Sequence, residues 1–190
     1  MKLLVISDTH GRIEPISAVI DRMGDIDMLI HLGDYEQDAE ILAERHGLDL
    51  VSVPGNMDGC MRLAESEKIL ETEYGKILLT HGHLRDVRWS EDRLVYTAME
   101  KDCKAVFFGH THCSLYEQSP EGITLLNPGS TSLPRDGNPP SYAIVHTSEE
   151  RLECGIRYIR NEGGSEGGTG GKKKYPHGRL RDMLNYSDRF

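Results

Sequence analysis

The chain opens on an apolar run, Lys2-Leu3-Leu4-Val5-Ile6, that breaks off at Ser7-Asp8-Thr9-His10-Gly11. An apolar run bounded by polar and turn residues predicts a buried strand. The same event recurs along the chain. Met28-Leu29-Ile30-His31-Leu32 ends in Gly33-Asp34, and Leu50-Val51-Ser52-Val53 ends in Pro54-Gly55-Asn56-Met57-Asp58-Gly59. Ile77-Leu78-Leu79-Thr80 ends in His81-Gly82-His83, and Ala105-Val106-Phe107-Phe108 ends in Gly109-His110-Thr111-His112. Between these runs the period lengthens. Ile16, Val19, Ile20 and Met23 have helical spacing within Pro15 to Met23. Asp38 to His46 predicts a second helix, with Ile41 and Leu42 inward and Gly47 as its stop. Ser90 to Lys101 predicts a third, with Ser90 as cap and Leu94, Val95 and Ala98 inward. Lys68 to Glu73 alternates as a strand does and turns at Tyr74-Gly75.

Beyond His112 the pattern is β: Ser114 to Gln118, Ile123 to Leu126, Ser141 to His146 and Arg151 to Arg160. Asn127-Pro128-Gly129-Ser130 and Pro134 to Pro140 read as loops. Strand and helix alternate in the first half, and hairpins fill the second. That predicts sheets stacked between helical layers, not one doubly wound sheet. No internal repeat is visible. The composition shifts at Gly163, where Gly163 to Gly171 holds six glycines, followed by Lys172-Lys173-Lys174. A domain over 1–162 and a glycine-rich tether with a solvated tail over 163–190 are expected. The alternative for the tail is a short docking helix through Leu180, Met183 and Leu184.

Composition narrows the classes of function. A chain of 190 residues suits one domain with a sizeable core. The formal net charge of -9 makes nucleic acid a poor stable partner. No apolar run approaches the roughly 18 residues of a membrane span. Met1 to Ile6 is too short for a signal peptide, so a cytoplasmic protein is expected. Cys60, Cys103, Cys113 and Cys154 form no CxxC pair and read as reduced thiols.

The residues at the strand ends carry the chemistry. Asp8, His10, Asp34, Asn56, His81, His110 and His112 are all oxygen or nitrogen donors of the metal-ligand kind. Asp8 as a helix cap is an alternative, but it leaves His10 unexplained. Ligand sites of α/β sheets collect at the carboxyl ends of strands. On an extended backbone residues i and i+2 share a direction, so Asp8 with His10, and His110 with His112, are each expected to converge. The seven donors exceed the needs of one tetrahedral ion and suit two ions of higher coordination. Mixed carboxylate and imidazole donors without thiolate suit manganese, and also nickel, cobalt, iron or zinc, over calcium or magnesium. Two such ions form the clamp used for in-line displacement at phosphorus.

Asp8-Thr9-His10, Gly33-Asp34, Gly55-Asn56, His81-Gly82 and Gly109-His110-Thr111-His112, in this order, resemble the calcineurin-like metallophosphoesterases. Pro54-Gly55-Asn56-Met57-Asp58 and Asn127-Pro128-Gly129-Ser130 resemble the YfcE-type phosphodiesterases among them. The resemblance covers Met1 to about Arg160. It implies a four-layered α/β/β/α sandwich. It also implies that Asp8, His10 and His112 hold one metal, that Asn56, His81 and His110 hold a second, and that Asp34 joins both. A hydroxide between the metals would be the nucleophile, with Asp34, Asn56 and His110 in catalytic roles. Asn56, Met57 and Asp58 would lie nearest the substrate. Many relatives have His directly after the Asn, where it meets the phosphate or protonates the leaving oxygen. Met57 neither titrates nor donates. General-acid help is worth about 10²–10⁴-fold, so its loss favours diesters with good leaving groups. Asp58 is either a proton source or a turn-stabilising carboxylate.

The expected function is therefore a dinuclear metal-dependent phosphodiesterase acting on a small phosphodiester, with a homo-oligomer left open. The alternative is a non-catalytic scaffold of the same fold, as in the small subunit of retromer. A purely structural metal is the poorest of the three readings, since structural sites are usually closed. His83 reads as a loop histidine or a support to the ligands. His31 reads as a satisfied core or rim histidine, and His46, His146 and His177 as surface residues. Cys60 and Cys113 read as packing residues. Arg12 and Arg135 face either solvent or a second phosphate substituent.

Overall fold

A computed structural model of the chain describes residues 1–59 and 61–159. The strands are β1 (Lys2–Ile6), β2 (Met28–His31), β3 (Leu50–Ser52), β4 (Glu67–Thr72), β5 (Gly75–Thr80), β6 (Cys103–Phe108), β7 (Ser114–Gln118), β8 (Thr124–Pro128), β9 (Ser141–Thr147) and β10 (Leu152–Tyr158). The helices are α1 (Glu14–Met23), α2 (Glu36–His46), α3 (Leu63–Ser66) and α4 (Asp92–Glu100), with a 3₁₀ turn at His83–Arg85. The strands form two five-stranded sheets, ordered β10-β9-β1-β2-β3 and β4-β5-β6-β8-β7. In the first, β1, β2 and β3 run parallel. In the second, β5, β6 and β8 do.

Alternation along each strand builds the layers. Leu3 and Val5 of β1 meet Ile77 and Leu79 of β5 and Phe107 of β6 between the sheets. Leu4 and Ile6, one residue out of step, face Ile16 and Ile20 of α1 and Leu42 of α2. Leu78, Val106 and Phe108 turn the other way, onto Leu94, Val95 and Ala98 of α4. The inner strands β1, β5 and β6 thus bury both faces, which is why each holds a continuous apolar run. The result is the α/β/β/α sandwich, with α1 and α2 on one outer face and α4 on the other. Among the described residues no helix is long and apolar enough to cross a membrane.

Several local expectations change. Ile41 is 40% exposed, so only Leu42 of that pair packs inward. Asn127 and Pro128 close strand β8 and are not loop. Ser90 stands one residue ahead of the α4 cap, Glu91, although its Oγ accepts the Asp92 N–H. Helix α3 and the 3₁₀ turn are too short to leave a period in the sequence. His46 is no surface residue. It packs between α1 and α2, with Nε2 2.8 Å from Ser17 Oγ and Nδ1 3.3 Å from Asp21. Gly47 ends α2 in the left-handed conformation, as expected. Cys60, His177 and the tail over 163–190 lie outside the described residues.

His31 is a satisfied core histidine. Its Nδ1 accepts the Gly33 N–H at 3.2 Å, so Nε2 carries the hydrogen toward Thr9 Oγ1, also at 3.2 Å. Thr9 Oγ1 in turn donates to the Asp34 carbonyl. Burial pushes the His31 pKa down to about 4, against the weaker upward pull of Asp8, Asp58 and Asp38. The unfolded chain therefore takes up a proton near pH 6.5 that the folded chain refuses. His31 contributes stability that is whole above about pH 6.5 and is lost as pH falls toward 4, about 3 kcal/mol across that window. Denaturant titrations at pH 7 and pH 4.5 should show this fall, and His31→Asn should flatten it. An unchanged slope in the variant would assign the acid sensitivity to other groups.

Candidate metal centre

The strands that run parallel bring their carboxyl ends to one edge of the sandwich. Asp8 and His10 follow β1, Asp34 follows β2 and Asn56 follows β3. His81 follows β5, and His110 and His112 follow β6. The two sheets thus supply opposite walls of one cluster. Ligand-type atoms of Asp8, His10, Asp34 and His112 all lie within 4.8 Å of one another. His10 Nε2 is 3.4 Å from His112 Nε2, and His112 Nε2 is 3.2 Å from Asp8 Oδ1. Beside this group, His81 Nε2 is 3.2 Å from Asn56 Oδ1, and the His81 and His110 ring centres are 5.1 Å apart. Asp34 lies between the two groups. Its Oδ1 is 3.3 Å from His81 Nε2 and its Oδ2 is 3.8 Å from His10 Nε2.

The backbone reaches this geometry through an unusual conformation. Asp8, His10, Asp34, His110 and His112 have φ of 56°, 48°, 62°, 68° and 58°. The left-handed region is rare for residues with a side chain, and clusters of it mark functional sites. The expected extended i, i+2 geometry is therefore absent. His112 turns toward His10 and Asp8, and His110 toward His81. These left-handed residues lie two to four residues beyond their strand ends, and in the turn after β1 they bring a carboxylate, Asp8, and an imidazole, His10, into one cluster.

The donors face one another without enough hydrogens to satisfy them. The Leu32 carbonyl lies 2.6 Å from His81 Nδ1, and the Leu133 carbonyl 2.7 Å from His112 Nδ1. Each carbonyl can only accept, so each Nδ1 carries the hydrogen and each neutral Nε2 presents a lone pair. Those lone pairs point at carboxylate and amide oxygens. Asp8 Oδ1 is buried and makes no hydrogen bond among the described residues. An orphaned buried oxygen costs about 1–3 kcal/mol, more when charged. A divalent cation removes the conflict, so these residues fit a metal. Without one, protons partly substitute. Burial alone would lower the His112 pKa, but the Asp8 carboxylate outweighs it and raises it. Burial would likewise raise Asp8, but His112, His81 and Ser7 hold it low. His110 differs: burial, with His81 and Arg88 nearby, pushes it down to about 4.

A supporting set holds the ligands in place, and most of it left no signal in the sequence. Asp58 is not free to meet substrate: Oδ2 accepts the N–H of Asp34 at 2.9 Å and of Gly55 at 2.8 Å, while Oδ1 accepts those of Tyr35 and Glu36 at 2.9 Å. Both oxygens serve the turn. Burial raises its pKa, but these backbone bonds outweigh it and hold the carboxyl low. The Met57 N–H donates to Asp34 Oδ1 at 2.9 Å, and the Met57 side chain is 57% exposed. Ser7 Oγ and the His110 N–H both donate to Asp8 Oδ2. Buried Asn127 donates to the Gly109 carbonyl and to Thr111 Oγ1, and Ser130 Oγ donates to the Asp8 carbonyl at 2.7 Å. Side chains are excluded at two tight points. A Cβ on Gly55 would strike the Asp34 carboxylate, and one on Gly109 would strike Ser7 Oγ.

Of the remaining residues, His83 stands over the ligands, its ring 5.3 Å from His81 and 6.0 Å from His110. It is close enough to support them, the second of the two readings that its position in the sequence allows. Tyr35, unanticipated, sets its ring edge-on to His10 at 5.4 Å. Arg12 and Arg135 are exposed, and the Arg135 N–H donates to the His112 carbonyl. Cys113 is half-buried, with Sγ 3.4 Å from the Thr111 carbonyl.

Comparison with known proteins agrees with this geometry. The profile of the calcineurin-like phosphoesterase superfamily domain matches residues 1–150. A probable metallophosphoesterase of Bacillus subtilis is 35% identical over 148 residues, covering 76% of this chain and 83% of that one. The phosphodiesterase YfcE of Escherichia coli is 28% identical over 169 residues, covering 76% and 87%. Among solved structures, a predicted phosphoesterase of Streptococcus pneumoniae superposes with a TM-score of 0.69 at 30% identity, over 83% of this chain and 89% of that one. Zinc-complexed Vps29 of Entamoeba histolytica shares the fold, with a TM-score of 0.65 at 20% identity over 84% and 100%. The chain belongs to the calcineurin-like phosphoesterase superfamily.

Proposed function

We propose that the chain is a dinuclear metal-dependent phosphodiesterase acting on small phosphodiesters. The observation that carries this reading is Asp34, whose two oxygens face separate donor groups. Asp8, His10 and His112 would hold one ion, and Asn56, His81 and His110 the other, with Asp34 shared. Bound there, divalent ions lower the pKa of water and neutralise charge developing on phosphoryl oxygens. The protein's own part is to position and to exclude. The Leu32 and Leu133 carbonyls fix the tautomers of His81 and His112. The low pKa of His110 keeps that imidazole neutral and available as a donor at neutral pH. Asn56 and Met57 stand at the open side of the cluster, where an ester would enter. Asp58 positions Asp34 and Asn56 through the backbone and supplies no proton. With no acid at Met57, esters with stable leaving groups are the favoured substrates. Manganese suits the donor set, as do nickel, cobalt, iron and zinc.

Hydrolysis of bis(4-nitrophenyl) phosphate tests the proposal. Turnover should vanish on chelation and return with added manganese, with two ions per chain by elemental analysis. A folded protein that binds metal and turns over no diester would instead support the scaffold reading, which the Vps29 likeness keeps in view.

A further inference from the structure

Tyr35 stands at the metal centre without being one of its donors. It directly follows Asp34, the carboxylate between the two donor groups, and it is 39% exposed where Asp34 is 3% exposed. Its backbone lies in the left-handed region, at φ 74° and ψ 60°. That region suits glycine or asparagine and costs free energy for a bulky aromatic residue. Strain of this kind persists only where surrounding bonds impose it. Here the Tyr35 N–H donates to Asp58 Oδ1, and the Tyr35 carbonyl accepts the Asp38 N–H, both at 2.9 Å.

The strained backbone sets the ring against the turn after β1. The ring centre is 5.4 Å from that of His10, with the two planes 61° apart. Its Cε1 and Cδ1 lie 3.8 and 4.0 Å from where a Gly11 Cβ would stand. Buried Asp38 fastens both sides of this contact. Its Oδ2 accepts the Gly11 N–H at 2.7 Å, and its own N–H holds the Tyr35 carbonyl. The ring is thus fixed beside a donor histidine while much of its surface stays open to solvent. An exposed aromatic ring on a rigid mount is a stacking surface, because little ordering entropy remains to be lost when a second ring lies on it. Its place also distinguishes the two substituents of a diester. Met57, which offers the leaving group no proton, follows Asn56 in one donor group. Tyr35 flanks His10, in the other group with Asp8 and His112.

We propose that Tyr35 forms a subsite for a planar aromatic substituent, aryl or nucleobase, on the retained side of an ester bound at the metal centre. The substituent stacks on the open surface of the Tyr35 ring. The kinetic test rests on the phosphodiesterase reading of the same site, while the binding test does not.

Tyr35→Asn removes the ring and keeps a residue that tolerates the left-handed backbone, and Tyr35→Phe keeps the ring. Calorimetric titration of the zinc-loaded protein with phenyl phosphate, thymidine 5′-monophosphate and methyl phosphate compares an aryl ring, a nucleobase and no ring. At least one aromatic ester should bind about fivefold or more tightly than methyl phosphate. Tyr35→Asn should remove that advantage, and Tyr35→Phe should keep it. Kinetics with 4-nitrophenolate as the common leaving group then fix the side. Bis(4-nitrophenyl) phosphate and the 4-nitrophenyl ester of thymidine 5′-monophosphate retain a ring, and methyl 4-nitrophenyl phosphate does not. Tyr35→Asn should raise KM about fivefold for the ring that the binding test selects, with a much smaller change in kcat, and should leave the methyl ester unchanged. A ring advantage absent from the wild type, or surviving in Tyr35→Asn, would overturn the subsite. So would an equal rise in KM for the methyl ester, which would assign Tyr35 to the leaving group or to the support of His10. A protein that hydrolyses no diester yet loses the ring advantage in Tyr35→Asn would overturn the phosphodiesterase reading alone.

Discussion

Asp34→Asn is expected to lower kcat/KM for an aryl phosphodiester by about 10³-fold or more while the protein stays folded. Asp34 is the one side chain that faces both donor groups, so its charge counts at either position. Removing a single preorganised stabilising group commonly costs 10²–10³-fold, and here the affected group would also hold metal. Asparagine keeps an oxygen that can still accept the Met57 N–H, so the turn at 55–58 should survive. Asp34→Ala removes that acceptor as well and should add a stability loss of about 1–3 kcal/mol. Comparing the two separates chemistry from scaffolding. Elemental analysis should find less than the wild-type metal content in both. Near-wild-type turnover in a folded, metal-loaded Asp34→Asn would remove Asp34 from its central role.

Asp58→Ala should be the most destabilising substitution around the centre, although Asp58 touches no proposed metal. Four backbone N–H groups, from Asp34, Tyr35, Glu36 and Gly55, converge on its carboxylate. One of them, Glu36, opens helix α2, so the carboxylate also caps that helix from another loop. Hydrogen bonds to a charged group contribute about 1.5–3 kcal/mol, and a lost cap about 1 kcal/mol. With water replacing some partners, a loss of about 3–4 kcal/mol is expected, or roughly 10 °C in Tm for a chain of this size. The carboxyl pKa is lowered by folding, so this stability is present above about pH 3.9 and lost as pH falls through the lower folded value. Asp58→Asn should recover only part of the loss, because its amide faces two donors whichever way it turns. Metal affinity should fall with stability, since these bonds hold the backbone of Asp34 and of Gly55, the residue before Asn56. A Tm within 2 °C of wild type, read by calorimetry, would be the contrary result.

The sandwich was legible because its inner strands bury both faces. Leu3 to Ile6 and Ala105 to Phe108 are apolar at every position, and polar residues begin where each strand ends. The donor residues were legible for the same reason, since seven ligand-type side chains at strand ends have no role in a core. Their conformation was not. Periodicity assumes a regular backbone, and His110 and His112 leave it at φ of 68° and 58°. The support was hidden for a different reason. Apart from the Asp58 bond to Gly55, Asp58, Asn127 and Ser130 act on backbone groups 18 to 122 residues away, and backbone groups carry no residue identity. His46 misled because its polar neighbours, Asp21 and Ser17, belong to the other helix.

The two walls of the metal centre come from different sheets, and His10 and His112 stand 102 residues apart in sequence. The centre can therefore exist only after the sheets have docked, and any ion it holds acts as a clasp between them. Ligand binding of this kind stabilises the native state by RT ln(1 + [L]/Kd), about 1.4 kcal/mol for each tenfold excess over Kd. Chelation would then loosen the whole sandwich and not merely the loops at its edge. Metal supply would then enter the folding equilibrium of this chain.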